Sequence, residues 1–363
     1  MSVTTSRRIL LTGATGSFGR YIARELVARG CEVFLLARGR DDLAPTQRVL
    51  AALELNGSSA RVHVVRGDLS EPGLGLEASD RRVLRTRLDG VIHAAATTAF
   101  GLPLGVARRV NVGGLRNVLT LARQADRLAG FAYVSTAFVA GKRVGPIAES
   151  ELAHDAGFVT SYERSKYEAE LLIRGSAESF PFTVFRPSVV VGSRREAETR
   201  PNGLHFTLSL VRAGLLPLLP ATEDTRIDLI DARDAASALV RVFLESGSAG
   251  TYHLAGGDRA PELNELMRAA GAPAVRFADE EAFERELERL GRDHPKAAAS
   301  YDRLAKFIGI VAYAKTFETS AAEAALGGSV SCRDPLAAVD ALFRPPRRRL
   351  RGRRRGRTKV AVS

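Results

Sequence analysis

Arg8-Ile9-Leu10-Leu11-Thr12-Gly13-Ala14-Thr15-Gly16-Ser17-Phe18-Gly19-Arg20-Tyr21-Ile22 decides the fold. An apolar run ends in a turn with glycine at every third position, and a helical pattern follows, with Ile22, Leu26 and Val27 on one face. Strand, glycine turn and helix N-terminus together make a receptor for phosphate. Gly13 permits the tight turn, Gly16 lets backbone approach a pyrophosphate, and Gly19 lets the helix sit close on the strand. The helix start adds N–H donors and the positive end of its dipole. The spacing is Gly-x-x-Gly-x-x-Gly rather than Gly-x-Gly-x-x-Gly, so the strand–turn–helix context carries the reading more than the spacing does.

Outward from this turn, short apolar runs alternate with helical patterns. Strands are expected at 8–11, 32–36, 62–65, 90–95, 131–135 and 182–185, and helices at 19–29, 112–124 and 161–174. That alternation predicts an α/β fold, a Rossmann-type doubly wound parallel sheet. Strands apolar along their whole length suit a sheet covered on both faces. The dinucleotide-binding domain is expected to span 1–192, with return segments at 227–256. Residues 193–226, punctuated by Pro201, Pro217 and Pro220, read as irregular. With 257–340, helical at 261–270 and 279–290, they form a small discontinuous substrate-binding part that caps the crevice at the strands' carboxyl ends.

The 363 residues are 45% hydrophobic and 26% charged, enough for a globular core. No apolar run reaches the ~18 residues of a membrane span. Cys31 and Cys332 stand far apart, without metal-ligand spacing, so neither a disulfide scaffold nor a metal site is expected, and a cytoplasmic setting is. The net charge of +12 would suggest nucleic acid, but residues 341–363 hold ten basic residues and no acid, leaving +2 for the rest. This arginine-rich stretch is expected to be a disordered tail. Either it is merely solvated, or it attaches to anionic lipid or nucleic acid and makes the protein peripheral at a membrane. No aromatics interleave the arginines to stack on bases.

Ser161-Tyr162-Glu163-Arg164-Ser165-Lys166 falls on an expected helix, and residues four apart share a face. A tyrosine phenol ordinarily titrates near pH ~10, and a neighbouring ammonium is expected to lower that value. Tyr162 would then exchange a proton with a substrate oxygen. Only six of the 53 basic side chains are lysine, and among seven tyrosines only Tyr162 has a lysine four residues on. A chain that otherwise prefers arginine has placed a compact ammonium here, where a guanidinium is no substitute. Tyr133-Val134-Ser135-Thr136 closes the fifth strand. Its terminal hydroxyls, Thr136 preferred over Ser135, are placed to hold a carbonyl beside the phenol. The second strand ends Ala37-Arg38-Gly39-Arg40, with arginines in place of the acid that would bind a ribose hydroxyl, which favours NADP over NAD. Asp68 is placed either for the adenine amino group or as a loop cap. His205 reads as a surface histidine and His253 as structural.

Taken together, Thr12 to Gly19, Gly67-Asp68-Leu69, His93-Ala94-Ala95-Ala96, Asn111-Val112-x-Gly114, Tyr133 to Gly141, Tyr162-x-x-x-Lys166 and Arg186-Pro187-Ser188 resemble the extended short-chain dehydrogenase/reductases over about residues 7 to 256. Val134 to Gly141 is more similar to the acyl-thioester reductase and male-sterility-type fatty acyl reductase branch. The resemblance implies Thr136, Tyr162 and Lys166 as catalytic residues. It implies Gly13, Thr15, Gly16, Ser17, Phe18, Gly19, Arg38, Asp68, Leu69, Ala94, Ala95, Lys166, Pro187, Ser188 and Val189 along the cofactor. An NADPH-dependent reductase of a carbonyl substrate, an acyl thioester for this branch, is the function implied. Two other readings stand beside it: an NAD-dependent nucleotide-sugar epimerase, dehydratase or hydroxysteroid-type dehydrogenase, and a non-catalytic NADP sensor. A long apolar pocket over Tyr162 would favour acyl chains, and a basic one sugar nucleotides.

Overall fold

The opening run becomes β1 (Arg8–Thr12) in a computed structural model, which describes residues 7–38, 53, 61–176, 179–199, 202–222, 225–246, 249–293 and 298–344. It is buried beyond Arg8 because it sits inside the sheet, parallel to β2 (Glu32–Ala37) on one side and β4 (Gly90–His93) on the other. With β3 (Val62–Arg66), β5 (Gly130–Val134), β6 (Phe182–Pro187) and β7 (Gly250–Leu254) it forms one seven-stranded sheet ordered β7-β6-β5-β4-β1-β2-β3. All its pairings are parallel. The strand order reverses between β1 and β4, so a crevice opens at their carboxyl ends.

Alternation along the strands builds two cores. Ile9, Leu11, Val33 and Leu35 face α1 (Gly19–Ala28) and α6 (Ala232–Arg241). Leu10, Phe34 and Leu36 face the other layer, α2 (Ala78–Arg87), α3 (Gly114–Arg123) and α4 (Ser161–Arg174). The doubly wound parallel sheet read from the sequence is the fold observed. Two bounds move. The fourth strand ends at His93 rather than Ala95, because the amide of Ala94 turns to the Thr12 carbonyl (3.3 Å) and that of Ala95 to the Thr12 hydroxyl (3.2 Å). The helix expected from Val112 begins earlier, with Leu104–Arg108 and a π-helical turn, Arg109–Gly113, leading into α3.

Residues 193–226 are more regular than expected. They hold the helix Arg194–Thr199, then α5 (Gly203–Arg212) and the short strand Leu218–Leu219. Asn202 caps α5 by accepting from the His205 amide at 2.8 Å. Leu204, Leu208 and Val211 of α5 join a third cluster with Leu266 of α7 (Leu263–Ala269), Phe283 of α8 (Glu280–Asp293), Leu304 and Phe307 of α9 (Ala298–Val311) and Val339 of α10 (Pro335–Phe343). This helical mass lies beyond the carboxyl end of β6, contributing one wall of the crevice. Cys31 is buried, Cys332 is exposed, and both are free. Among the described residues no helix is long and apolar enough to cross a membrane. The arginine-rich stretch beyond Arg344, and Arg40, lie outside the described residues.

Candidate active site

The glycine turn has the shape its residues predict. Gly13 has φ +79°, and a Cβ there would lie 2.6 Å from the Ala95 amide nitrogen. The Gly16 amide closes the turn on the Gly13 carbonyl at 2.9 Å. A Cβ at Gly19 would come within 2.0 Å of that same carbonyl oxygen, so α1 sits directly on the turn and no larger residue fits. Gly13, Gly16, Ser17, Phe18 and Gly19 line one end of a cleft of ≈ 650 Å³. This glycine-walled cradle at a helix start fits a dinucleotide pyrophosphate. Gly19→Ala is expected to weaken dinucleotide binding at least tenfold and to destabilise the fold by about 1–3 kcal/mol through overpacking. Fluorescence titration with NADPH would check this, and an unchanged Kd would remove the turn from cofactor binding.

The same cleft receives the other end of the prediction. Ala94, Thr136, Tyr162, Lys166, Pro187, Ser188 and Val189 all line it. Thr15, Ala95, Arg38, Asp68 and Leu69 do not. Ala95 packs on Gly13, and Arg38 lies exposed just past β2. Asp68 accepts from the Ser70 amide at 2.8 Å, the loop cap that was its alternative reading. Leu69 packs against Gly114, and its carbonyl accepts from the Asn117 side chain at 2.8 Å.

Helix α4 is started where the chemistry needs it. Thr160 and Glu163 form a capping box, with Thr160 Oγ1 accepting from the Glu163 amide (3.3 Å) and the Glu163 carboxylate accepting from the Thr160 amide (2.8 Å). Tyr162 and Lys166 therefore occupy its first two turns, and both reach the cleft. The Thr136 hydroxyl lies close enough to the Tyr162 phenol to favour its ionised form. Thr136 also donates to the Pro187 carbonyl at 3.4 Å. Ser135, one residue earlier, is committed elsewhere: its hydroxyl donates to Glu170 Oε2 at 2.7 Å. The geometry thus brings Thr136, not Ser135, to the phenol.

The electrostatics differ from the sequence expectation. Lys166 does not lower the Tyr162 phenol. Burial pushes Tyr162 up to about 12, against the effect of the Thr136 hydroxyl, with Glu163 adding to the rise. Burial instead acts on Lys166, bringing it down to about 7 although Glu170 opposes this. The Lys166 ammonium donates to the Val134 carbonyl at 2.6 Å and lies 4.2 Å from the centre of the Tyr133 ring. Desolvation is the largest cause at both side chains. His93, behind this group, is held neutral, its value near 3 through burial and the Lys166 charge, and its Nδ1 bonds the Thr12 hydroxyl at 2.8 Å.

Two contributors had no role in the sequence reading. Asn111, in the π-turn, accepts from the Thr97 amide (2.8 Å) and donates to the Thr97 carbonyl (3.2 Å) and Ser165 Oγ (2.9 Å). It ties the loop after β4, which lines the cleft, to α4. Glu170 lies one turn beyond Lys166, fully buried and paired with Arg186 at 2.6 Å. The signal for Asn111 was a polar residue between Val110 and Val112; Glu170 had none of that kind, since its face of α4 also carries Glu163, Ser165 and Lys166. His205 is not the surface histidine expected: it is half-buried, its ring stacked on Phe343 at 5.2 Å, and it does not line the cleft. His253 is buried, with Nδ1 2.7 Å from the Glu318 carbonyl oxygen.

The profile of the male sterility protein family matches residues 11–239, more than half of the chain and all of the cleft's sheet-borne residues. The chain belongs to that family. Its type is that of the extended short-chain dehydrogenase/reductases. Fatty acyl-CoA reductase wat of Drosophila melanogaster is 29% identical over 228 residues, 53% of this chain and 44% of that protein. The carboxylic acid reductase of Segniliparus rugosus is 30% identical over 240 residues, 58% of this chain and 20% of that protein. This male sterility family member thus spans less than half the length of either relative. Among solved structures, the terminal R domain of the myxalamid PKS-NRPS biosynthetic pathway superposes with a TM-score of 0.78 at 28% identity, covering 94% of this chain and 90% of that one. UDP-glucuronic acid 4-epimerase of Bacillus cereus, in complex with NAD, superposes at 0.65 with 18% identity, covering 93% and 96%; that likeness shows the fold alone.

Proposed function

We propose that this chain is an NADPH-dependent reductase of acyl thioesters. One observation carries the reading: among the described residues that line the cleft, Lys166 alone is charged. The lining also holds the apolar side chains Phe100, Phe138, Phe206, Leu304 and Phe307, which make up the cleft's apolar wall. An acyl chain is at home against such a wall, whereas the diphosphate of a sugar nucleotide would find no cation there beyond Lys166. The fatty acyl-CoA and carboxylic acid reductases to which the chain is similar support the same substrate class. The preference for NADPH rests on Arg38 at the end of β2, where no acid stands to bind a ribose hydroxyl.

The glycine turn would hold the dinucleotide's pyrophosphate and Lys166 the ribose hydroxyls. A reduced nicotinamide supplies a hydride when bound. Thr136 orients the substrate carbonyl oxygen, and Tyr162 gives its proton to that oxygen as negative charge gathers there. Because a phenol at about 12 stays protonated near neutrality, Tyr162 is always loaded for reduction. An alkoxide is a stronger base than a phenolate, so the proton still moves downhill. Lys166 steadies the phenolate left behind. As the thiolate leaves, the hydroxyl proton returns to the Tyr162 phenolate and the thiolate takes a proton from solvent, which leaves an aldehyde and a free thiol.

The test is NADPH oxidation with octanoyl-CoA, with aldehyde and free thiol measured as products. Turnover is expected, with kcat/KM for NADPH at least tenfold above that for NADH. Turnover of a nucleotide sugar and none of a thioester would overturn the reading.

A further inference from the structure

The apolar wall of the cleft has a second side. Beyond it lies a smaller cavity of ≈ 40 Å³ that presents no polar surface, lined among others by Leu204, Leu208 and Val211 of α5, Ile308 of α9, and Leu219. That is room for about three water-sized groups. Among the described residues, Phe307 is the one that lines both spaces. Its ring is seated against Gly203 at the start of α5, where a Cβ would come within 2.2 Å of Phe307 Cδ2. Only a residue without a side chain lets the ring lie there. On its other side Phe307 stacks on Phe100 at 6.4 Å, and Phe100 meets the Tyr162 ring at 5.8 Å. Two ring contacts therefore lead from the proton donor to the partition.

Resting on the thioester reading, we propose that Phe307, set in the notch at Gly203, is the stop that limits acyl chain length, and that the cavity behind it is the unused continuation of the acyl site. An acyl chain whose carbonyl lies at Tyr162 would run along Phe100 and end on the Phe307 ring. Its terminal methyl would meet carbon, and nothing in the lining of the space beyond would charge a desolvation penalty for entering it. Longer chains are excluded by the ring and not by polarity. Removing the ring joins the two spaces.

The experiment uses the full chain and has two arms. In the first, octanoate and palmitate compete for cis-parinaric acid bound to wild type, Phe307→Ala and Phe307→Leu. In the second, NADPH oxidation is followed with butyryl-, octanoyl- and palmitoyl-CoA. Phe307→Ala is expected to raise palmitate over octanoate at least tenfold in both arms, consistent with the discrimination available from a few methylenes, with the butyryl-CoA rate of each variant as the reference against which its two longer thioesters are scaled. Phe307→Leu is expected to move part of the way, and keeps the test alive should the alanine variant fold poorly. A palmitate-to-octanoate ratio that neither variant moves overturns the proposal. A ratio that moves in the binding arm, with no thioester turned over by any variant, overturns the thioester reading and leaves the chain-length stop standing.

Discussion

Tyr162→Phe is expected to lower kcat by about 10²–10⁴-fold while leaving the NADPH Kd within twofold of wild type. The phenol oxygen is the only part of the side chain removed. It lies close to the Thr136 hydroxyl, and the ring's contact with Phe100 at 5.8 Å remains, so the cleft keeps its shape. What is lost is a proton held where a carbonyl oxygen gains charge. Single-turnover mixing would separate this from a binding defect, and a variant retaining more than a tenth of wild-type kcat would remove Tyr162 from proton transfer. The pH dependence belongs to Lys166 rather than to Tyr162. In the free protein burial brings Lys166 down to about 7, and it is the protonated form that can steady a phenolate and bond ribose hydroxyls. kcat/KM for the cofactor reports free-enzyme ionisations, so it is expected to fall as pH rises through about 7. Tyr162, at about 12, would contribute no limb in that range.

That reversal shows where sequence reasoning stopped. The sheet was legible because β1 and its neighbours are apolar through their interiors and the glycine turn has few other uses. Tyr162 and Lys166 were legible because four residues on a helix is a fixed geometry. Their ionisation was not, because it depends on how much water the fold removes, and burial reversed the expected sign. The choice between Ser135 and Thr136 needed Glu170, a residue from another element that occupies the Ser135 hydroxyl. In 193–226 the prolines drew attention from a readable signal, the Asn202 cap followed by apolar residues at 204, 208 and 211. Phe307 could not be placed at all. Its meaning depends on Gly203, about a hundred residues earlier, and no local pattern links the two.

Glu170→Ala is expected to cost about 3–5 kcal/mol of stability, because it leaves a buried cation without its partner. Arg186 is 1% exposed, and its guanidinium donates twice to the carboxylate, Nη2 to Oε1 at 2.6 Å and Nε to Oε2 at 3.1 Å. Arg174 (2.9 Å) and Ser135 (2.7 Å) donate to the same carboxylate. Among the described residues, the remaining acceptors within reach of Arg186 are the Glu149 carbonyl at 3.3 Å and His253 Nε2 at 3.4 Å, both neutral and too little to hold a charge away from water. Replacing both Glu170 and Arg186 by methionine is expected to recover most of the loss, since carbon in place of a buried pair is often neutral or better. Urea midpoints of the three proteins would decide this; a double variant no more stable than Glu170→Ala would mean that shape, not charge, sets the cost. The carboxylate also has a pH signature. Burial works to raise Glu170, yet hydrogen bonds from Arg186, Ser135 and Arg174 hold it below its ordinary value. Its contribution is therefore complete above the unfolded carboxyl range and is lost as pH falls through the lower folded value. Activity should report the pair as well. Glu170 is the one charge that opposes the fall in Lys166, so in Glu170→Ala the ammonium is shed at lower pH. The descending limb of kcat/KM should move to the acid side of its wild-type position, a displacement that a loss of stability alone would not produce.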